Sequence, residues 1–454
     1  MNFTADEQIE WERWRRLKEL PEIFQRLAEI EGPEFRRQEL LRREYPAELV
    51  TLVMLVADLR QRAQGRFEYA SRLWFDRKSL EQTTTEAIAR HKARRFPVGE
   101  TVVDLCSGAG GDAIALAARG PIVAVDSNPL QLVRLQWNAE VYGVDQKIEF
   151  QQGLAETIDI SNKWVHIDPD RRPDLLTKGL SGRIQRIEDL APPLEVLQNI
   201  MQQSRGGAIK LSPASNFGGK FPDAEIELIS LSGECKEATV WFGELAGEAP
   251  FRATILPEGA SLAGHPLSVM TRVEPPGRYI FDPDPAIVRS GLVDVMADQL
   301  DLWRLDDAEE YLTGSEPTLS PFVQTFEIEQ IVSGNERELK AAIRERGYRE
   351  LEIKCRHVRV DANQLRKKLP LGNGPAGVLF VARIAGKTSH VLARRLSYRS
   401  QSAVSKMSTR LPIKQLRLLG YRVAGLERLR EPPVRAENRW GFEDSTPATH
   451  LQSA

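Results

Sequence analysis

The segment 102–112, VVDLCSGAGGD, constrains the fold of this chain more than any other. An apolar pair leads into an aspartate, a cysteine and three glycines, a pattern typical of a buried strand that turns tightly into a helix. Such a turn presents backbone N–H groups and the positive end of the helix dipole to a ligand. The segment therefore predicts an α/β layer that carries a ligand-binding loop.

Short β-rich runs separated by helical stretches surround this segment. The runs are TVVDL, PIVAVD, KIEFQQG, WVHID and GGAIKLS, followed by the pair EIELISLSG and ATVWFGEL. The alternation of strands and helices favours a mostly parallel sheet, and the last two runs predict a hairpin that closes it. We therefore expect an α/β fold class.

A chain of 454 residues is too long for one hydrophobic core, so we expect several domains. Trp11 and Trp14 lie one helical turn apart, and this spacing favours a role in the core of a helical domain over base stacking. Pro46 is a helix start signal.

A seam rich in proline and glycine around 250–285 marks a domain boundary. The expected segments are a helical domain (1–78), an α/β domain (79–256), a linker unit (257–318), an α+β unit (319–396) and a basic, partly disordered tail (397–454).

Composition excludes several classes of protein. The formal net charge of -2 gives no overall field that would attract nucleic acid, so basic surface must arise from local clustering.

The amino terminus lacks the pattern of a signal peptide, and the longest apolar run, around 49–57, is too short to cross a bilayer. The three cysteines are widely spaced, which argues against a disulfide framework or a metal site. We expect a cytoplasmic protein with no membrane association and no metal; the oligomeric state is not predicted.

Three ligands compete for the glycine loop. A nucleoside triphosphate would require a Lys-Ser/Thr pair after the glycines, and none follows. NAD remains possible, because 108–113 satisfies GxGxxG/A and Asp126 closes the next strand, where a ribose-binding acid belongs.

Asp104 discriminates between the remaining ligands. It lies four residues before Gly108, where a dinucleotide-binding strand is apolar, and its carboxylate suits a cationic ligand such as S-adenosylmethionine better than a pyrophosphate. The alternatives are a loop-bracing acid at Asp104 and a simple turn residue at Asp126.

DLCSGAGGD, AVDSNP, WVHIDPDRRP and KLSP, in this order, resemble a class I S-adenosylmethionine-dependent methyltransferase. LWFDRKSLEQTTTEAIARHKARRF, GRYIFDPDPAIVRSGLVDVMADQL, ELEIKCRHVRVDANQLRKKLPL and VLFVARIAGK are similar to the bacterial methyltransferases that carry a THUMP-like domain. The resemblance extends from about Leu73 to about Leu396. It implies a Rossmann-like sheet of seven strands, a ferredoxin-like linker unit and a C-terminal module related to RNA-binding THUMP domains.

The same resemblance implies S-adenosylmethionine as cofactor and a set of residues that contact it. Leu154 departs from the wider fold, which often has an acid there for the adenine amino group; Glu156 is a weak substitute. The implied cofactor contacts are Asp104, Cys106, Gly108, Gly110, Asp126, Ser127, Leu154, Ala155 and Asp168.

Asp168 and Pro169 follow the strand WVHID and resemble the start of the [DN]PP[YFW] signature of amine-directed methyltransferases. In that signature the acid and the proline carbonyl accept hydrogen bonds from the acceptor amine. Here Asp170, Arg171 and Arg172 follow, without an aromatic residue to stack on a base, which puts base methylation in doubt. The arginines either hold the acceptor or neutralise the neighbouring acids. We expect Asp168, Pro169 and Arg171 to form the catalytic side of the site.

Basic residues far outnumber acids between Lys354 and Arg430; Tyr398 and Tyr421 lie among them, and Tyr348 lies just before them. Together with the resemblance, this pattern favours an RNA-binding surface, on which the basic residues hold phosphates and the tyrosines stack on bases, over a merely solvated face. The function expected is methylation of structured RNA, tRNA or rRNA. The alternatives are a methyltransferase acting on a small molecule or protein, and a non-catalytic scaffold that binds S-adenosylmethionine or RNA.

Overall fold

A computed structural model describes residues 2–171 and 186–396. Arg172, Tyr398, Tyr421 and the expected tail 397–454 lie outside the described residues. Among the described residues, only helices precede residue 102; from there helices and strands alternate, which confirms the α/β fold class.

The helices are numbered in chain order. They are α1 (Ala5–Lys18), α2 (Glu22–Glu29), α3 (Glu34–Leu41), α4 (Ala47–Arg62), α5 (Arg77–Gln82), α6 (Glu86–Ala93), α7 (Gly111–Ala117), α8 (Pro129–Tyr142), α9 (Leu194–Gln203), α10 (Pro285–Arg289), α11 (Val293–Leu300), α12 (Glu336–Arg346) and α13 (Ala362–Lys368). Short 3₁₀ turns cover Ala70–Arg72, Asp145–Lys147, Ala155–Thr157 and Ile187–Asp189.

A nine-stranded sheet forms the centre of the first half of the molecule. Its strands are β1 (Val102–Leu105), β2 (Ile122–Asp126), β3 (Ile148–Gln152), β4 (Trp164–Ile167), β7 (Gly206–Leu211), β8 (Glu225–Leu231), β9 (Glu234–Gly243), β10 (Phe251–Leu256) and β11 (Ala260–Gly264). Two short strands, β5 (Asp170–Arg171) and β6 (Leu190–Ala191), pair separately beside it.

The order of the large sheet is β11-β10-β8-β9-β7-β4-β1-β2-β3. Strands β3, β2, β1, β4 and β7 are parallel, and β8 and β9 form the antiparallel hairpin predicted from the sequence. These seven strands correspond to the sheet that the resemblance implied. Strands β10 and β11 extend it at one edge, in the region where the proline- and glycine-rich pattern predicted only a boundary.

A second sheet of seven strands occupies the C-terminal half. Its order is β13-β14-β12-β15-β18-β17-β16, from β12 (Tyr279–Pro283), β13 (Trp303–Arg304), β14 (Leu312–Gly314), β15 (Val323–Ser333), β16 (Glu350–Cys355), β17 (Ala376–Ile384) and β18 (Lys387–Arg395). Strands from both expected C-terminal units, 257–318 and 319–396, thus belong to one sheet, and β11 lies beyond the boundary expected at 256. Because Ile255 of the first sheet and Phe281 of the second lie in one apolar cluster, no break in the core separates the two sheets. The division of the chain into domains stays a prediction.

The N-terminal helices pack against helix α8 through tryptophans. Trp14 is buried and contacts Trp74, whose ring in turn meets Trp137 of α8 at 5.4 Å between centroids. Trp11 stacks on Phe3 in the same cluster. The core role predicted for the two tryptophans is therefore confirmed, as is the helix that begins after Pro46.

Within 2–171 and 186–396, no helix has both the length and the apolar character needed to cross a membrane. The same residues contain no group of three or more His, Cys, Asp or Glu side chains arranged to hold a metal ion.

Candidate active site

The glycine loop connects β1 to α7 through residues with positive φ. Gly108 has φ 53° and Gly110 has φ 95°, and Cys106 adopts φ 58° despite its side chain. Gly111 opens the helix where a Cβ would lie 2.6 Å from Thr83 Cγ2 and 2.9 Å from the Thr84 carbonyl oxygen. The loop therefore needs glycine both for its turn and for the close approach of the segment before α6.

Asp126 ends β2 beside this loop. Its carboxylate accepts hydrogen bonds from the backbone N–H groups of Gly108, at 2.9 Å, and Asn128, at 2.8 Å. Burial raises the pKa of Asp126 above its ordinary value, and the two N–H donors oppose this shift. The acid thus braces the loop and contributes to the wall of the adjacent cleft.

A cleft of about 690 Å³ lies at the carboxyl ends of the parallel strands, where open α/β sheets bind ligands. It brings together nearly all of the sequence-predicted residues: Asp104, Cys106, Gly108, Asp126, Ser127, Leu154, Ala155, Asp168 and Pro169. Gly110 does not line the cleft; it forms the turn into α7, and a Cβ there would lie 2.7 Å from Leu135. Leu154 is exposed at the rim, and Glu156 also lines the cleft.

Asp104 lies on β1 and is completely buried. Its Oδ1 is 2.6 Å from Nδ1 of His166, which occupies the paired position on β4. Its Oδ2 has no hydrogen-bond partner among the described residues. Asp104, the acid that favours a cationic ligand, therefore has one carboxylate oxygen hydrogen-bonded within the protein. Its other oxygen is buried and has no hydrogen-bond partner among the described residues.

A cluster of buried charges lies behind Asp104 and His166. The Lys92 ammonium of α6 is 2.9 Å from Asp112 Oδ1 and 2.6 Å from Glu237 Oε1, and Thr84 donates to Asp112 Oδ2 at 2.6 Å. Although burial opposes it, the Lys92 charge holds the pKa of Asp112 well below its usual range. The cluster joins α6, α7 and β9 beneath the floor of the cleft.

Asp168 follows β4 at the mouth of the cleft and pairs with a lysine of the neighbouring strand. Lys210 on β7 donates to Asp168 Oδ2 at 2.6 Å and to the carbonyl oxygen of Gln82 at 3.1 Å. Burial raises the pKa of Asp168, and the Lys210 ammonium opposes that effect. Lys210 thus favours the ionised form of the proposed catalytic acid.

Asp170 is held by α5, which packs over this edge of the cleft. Lys78 Nζ is 2.6 Å from its Oδ2, and Gln82 Nε2 donates to its Oδ1 at 2.8 Å. Lys210 and Lys78 therefore neutralise the two acids that the sequence suggested for pairing with Arg171 and Arg172. The structure describes only the backbone of Arg171, which pairs with Leu190.

Sequence reasoning missed three residues of the site: Lys92, His166 and Lys210. Two of them could have been found from the sequence. Strands buried on both faces of a parallel sheet are normally continuous apolar runs, so a polar residue inside such a run indicates a special role. His166 interrupts WVHI, and Lys210 interrupts GGAIKL. Lys92 lies in a charged helix, EAIARHKA, and nothing in that pattern singles it out.

The C-terminal basic region is only partly available as a surface. Lys354 and Arg356 pair with Asp282, while Arg394 and Arg395 pair with Glu327 and Glu352. The base-stacking role predicted for Tyr348 is wrong, because its ring is 1% exposed and its hydroxyl donates to Glu329. The ring is part of the apolar core between α12 and its sheet.

The cleft fits a ligand with a cationic end. On the glycine-loop side it is lined by Asp104, Asp112, Asp126 and Glu156, and the buried Oδ2 of Asp104 lacks a partner among the described residues. The lysines that line the cleft, Lys78, Lys210 and Lys236, each pair with a carboxylate. An acidic wall of this kind suits the ammonium and sulfonium of S-adenosylmethionine and repels the pyrophosphate of NAD.

Comparisons with known proteins agree with this chemistry. Residues 99–178 match the model of the RNA cap guanine-N2 methyltransferase family, and residues 323–395 match a THUMP domain-like family. An uncharacterized S-adenosylmethionine-dependent methyltransferase from Mycobacterium tuberculosis is 32% identical over 349 residues, which cover 74% of this chain and 93% of the relative. A trimethylguanosine synthase from Schizosaccharomyces pombe is 29% identical over 85 residues, 18% of this chain and 36% of that protein.

A solved structure shares the fold. The crystal structure of a candidate methyltransferase from Porphyromonas gingivalis W83 superposes with a TM-score of 0.65 at 20% sequence identity. The match covers 87% of this chain and 100% of the other.

Proposed function

Because this chain belongs to the S-adenosylmethionine-dependent methyltransferases, we propose that it transfers a methyl group to a nitrogen atom of a structured RNA, either tRNA or rRNA. The observation that carries the proposal is that Asp168 and Pro169 share one cleft with Gly108 and Asp126. An amine-orienting acid and a cofactor loop are thereby within reach of a single reacting centre.

On the cofactor side, each residue has a distinct task in this proposal. Asp126 accepts hydrogen bonds from the ribose hydroxyls, and Asp104 receives the cationic amino-acid end. Cys106, Gly108, Ser127, Leu154 and Ala155 form the walls, with Gly110 setting the turn behind them. S-adenosylmethionine, when bound, supplies a methyl group on a sulfonium, so the protein needs no nucleophile of its own.

On the acceptor side, Asp168 orients the amine. Lys210 occupies its Oδ2, and Oδ1 is the oxygen that accepts a hydrogen bond from the acceptor N–H. The backbone carbonyl of Pro169 accepts a second one, so that the nitrogen lone pair points into the cleft. Catalysis then consists of alignment and exclusion of water, and Arg171 is proposed to contact the acceptor backbone.

Charges on the C-terminal unit, outside the cleft, favour a polynucleotide over a neutral small molecule. Residues 323–395 contain fifteen Lys or Arg against eight Asp or Glu. Arg359, Arg366 and Lys367 are exposed there, and the described part of the chain gives them no acidic partner within ion-pair distance. A cationic surface of this type holds RNA through its phosphates.

Mass spectrometry of nucleosides from cells with and without the protein tests the proposal. Loss of one methylated nucleoside from tRNA or rRNA is expected, and N2-methylated guanosine is the first to inspect because of the family model over 99–178. Transfer of labelled methyl groups to RNA, protein and small-molecule fractions identifies the acceptor class independently. Label that enters only the protein or the small-molecule fraction would contradict an RNA substrate.

Asp168→Ala tests the catalytic assignment in the same assay. Transfer should fall by roughly a hundredfold or more, as is usual when a group that positions the substrate is removed, while cofactor affinity stays nearly unchanged. Asp159→Ala, an exposed acid that does not line the cleft, is the matched control. Equal labelling by wild type and Asp168→Ala would show that Asp168 is not catalytic.

A further inference from the structure

His166 is a polar ring in the middle of a buried strand, and it is 1% exposed. Its Nδ1 is 2.6 Å from Asp104 Oδ1, and its Nε2 is 3.4 Å from Lys92 Nζ and 3.8 Å from Asp112 Oδ2. The ring therefore bridges the cofactor-side acid Asp104 and the buried cluster behind it.

The chemistry of Lys92 determines the direction of these hydrogen bonds. An ammonium can only donate, so when the imidazole is neutral its Nε2 accepts from Lys92 and its Nδ1 carries the proton. When the imidazole is protonated, both nitrogens donate. In either state His166 donates from Nδ1 to Asp104 Oδ1, and Oδ2 is the oxygen without a partner among the described residues.

The charges around His166 do not balance. Four carboxylates, Asp104, Asp112, Asp168 and Glu237, face two ammonium groups, Lys92 and Lys210. Even a protonated His166 leaves one negative charge uncompensated in this part of the structure. Asp104 Oδ2 is where a cation entering the cleft would meet that charge, because Asp104 lines the cleft.

We propose that His166 is a positioning residue for the cofactor, holding Asp104 by Oδ1 so that Oδ2 receives the ammonium group of the cofactor's amino-acid end. Lys92, Asp112 and Glu237 keep the imidazole in the orientation that this requires. The inference concerns the cofactor alone and does not depend on whether the acceptor is RNA.

Calorimetry with two ligands tests the proposal without any methyl transfer. S-adenosylhomocysteine carries the ammonium, and 5′-methylthioadenosine has the same thionucleoside without the amino-acid end. His166→Leu should weaken S-adenosylhomocysteine binding by roughly 10- to 100-fold, the usual range for removal of a charge-assisted hydrogen bond, and change 5′-methylthioadenosine binding by less than about twofold. Asp104→Asn should show the same selective loss, and combining the two changes should add little.

The ratio of the two affinities is insensitive to the fraction of folded protein, so it separates positioning from general damage. His390→Leu provides a matched control, because His390 is also a buried strand histidine and its Nδ1 contacts the Ser333 carbonyl oxygen in the other sheet. That variant should leave the ratio unchanged. Equal loss for both ligands in His166→Leu, or no loss for either, would overturn the proposal.

His166→Asn and His166→Gln give a second test should His166→Leu fail to fold. The asparagine amide can donate from the position of Nδ1, whereas the longer glutamine amide reaches the position of Nε2. Affinity for S-adenosylhomocysteine should therefore be retained in His166→Asn and lost in His166→Gln. Equal affinities in the two variants would exclude a positioning role for the Nδ1–H donor.

Discussion

Lys92→Met offers a direct measurement of the buried charge cluster beneath the cleft. The lysine side chain is 1% exposed, and its ammonium lies 2.6 Å from Glu237 Oε1 and 2.9 Å from Asp112 Oδ1. Methionine preserves most of the chain length and removes the charge. The variant thus leaves two carboxylates in the interior without their common counter-ion.

Breaking a buried ion pair by removing one partner typically costs about 3 to 5 kcal/mol, because the remaining charge is uncompensated. We expect the free energy of unfolding of Lys92→Met to fall by that amount at pH 7.5. Lys340→Met is the matched control: Lys340 pairs with Glu336 at 3.4 Å on an exposed helix face. Removal of that pair should cost no more than about 0.5 kcal/mol.

The deficit should depend on pH in a defined direction. In the native protein burial alone would raise the pKa of Asp112, but Lys92 holds that pKa low. The ionised Asp112 paired with Lys92 therefore stabilises the folded state. This stabilisation is present above the unfolded pKa of about 4 and is lost as the pH falls through the folded pKa. Without Lys92, burial raises the pKa of Asp112 above its unfolded value, and protonation then favours the folded state. The deficit should shrink between pH 7.5 and pH 5, by about 1.4 kcal/mol for each pH unit below the raised pKa.

Urea unfolding followed by circular dichroism and tryptophan fluorescence at the two pH values provides the measurement. A deficit below about 1 kcal/mol would refute the view that Lys92 compensates both carboxylates. A large deficit that is identical at pH 7.5 and pH 5 would refute the assignment to an uncompensated acid and indicate a packing defect instead.

Three further predictions concern the cleft, the large sheet and the C-terminal surface. Asp126→Ala should weaken S-adenosylhomocysteine binding by about 1.5 to 3 kcal/mol in calorimetry, and unchanged affinity would place the ribose contact on another residue. Gly207→Ala should destabilise the fold by more than about 3 kcal/mol in urea unfolding, because the added Cβ would lie 1.9 Å from the Val165 carbonyl oxygen. Gly218→Ala, in a loop, is the control and should leave the free energy of unfolding nearly unchanged. Arg366→Ala combined with Lys367→Ala should make the dependence of RNA affinity on salt less steep. The slope of log affinity against log salt concentration should fall in magnitude by roughly 0.7 to 0.9 for each phosphate that is no longer neutralised. An unchanged slope would show that these two residues do not bind RNA phosphates.

The local pattern of the sequence determined the parallel part of the large sheet and the glycine-loop side of the cleft. Strand β1, the glycines after it and the acid that ends β2 are consecutive features with their own backbone preferences, so each can be read within a few residues. Parallel strands then bring their carboxyl ends to one edge, which is why Asp104, Asp126 and Asp168 meet without further information. Strand β10 was missed because the surrounding prolines and glycines outweighed its short apolar run.

Only the tertiary structure decided which charges these acids face. Lys92, His166 and Lys210 come from a helix and two strands far apart in the chain, and their pairing with Asp112, Asp104 and Asp168 depends on strand order and helix packing. The same holds for Tyr348, which the basic pattern around it predicted to be on the surface and which packing places in the core. The chemical type of a side chain is known from the sequence, but its burial and its counter-charge depend on the neighbours that folding brings to it.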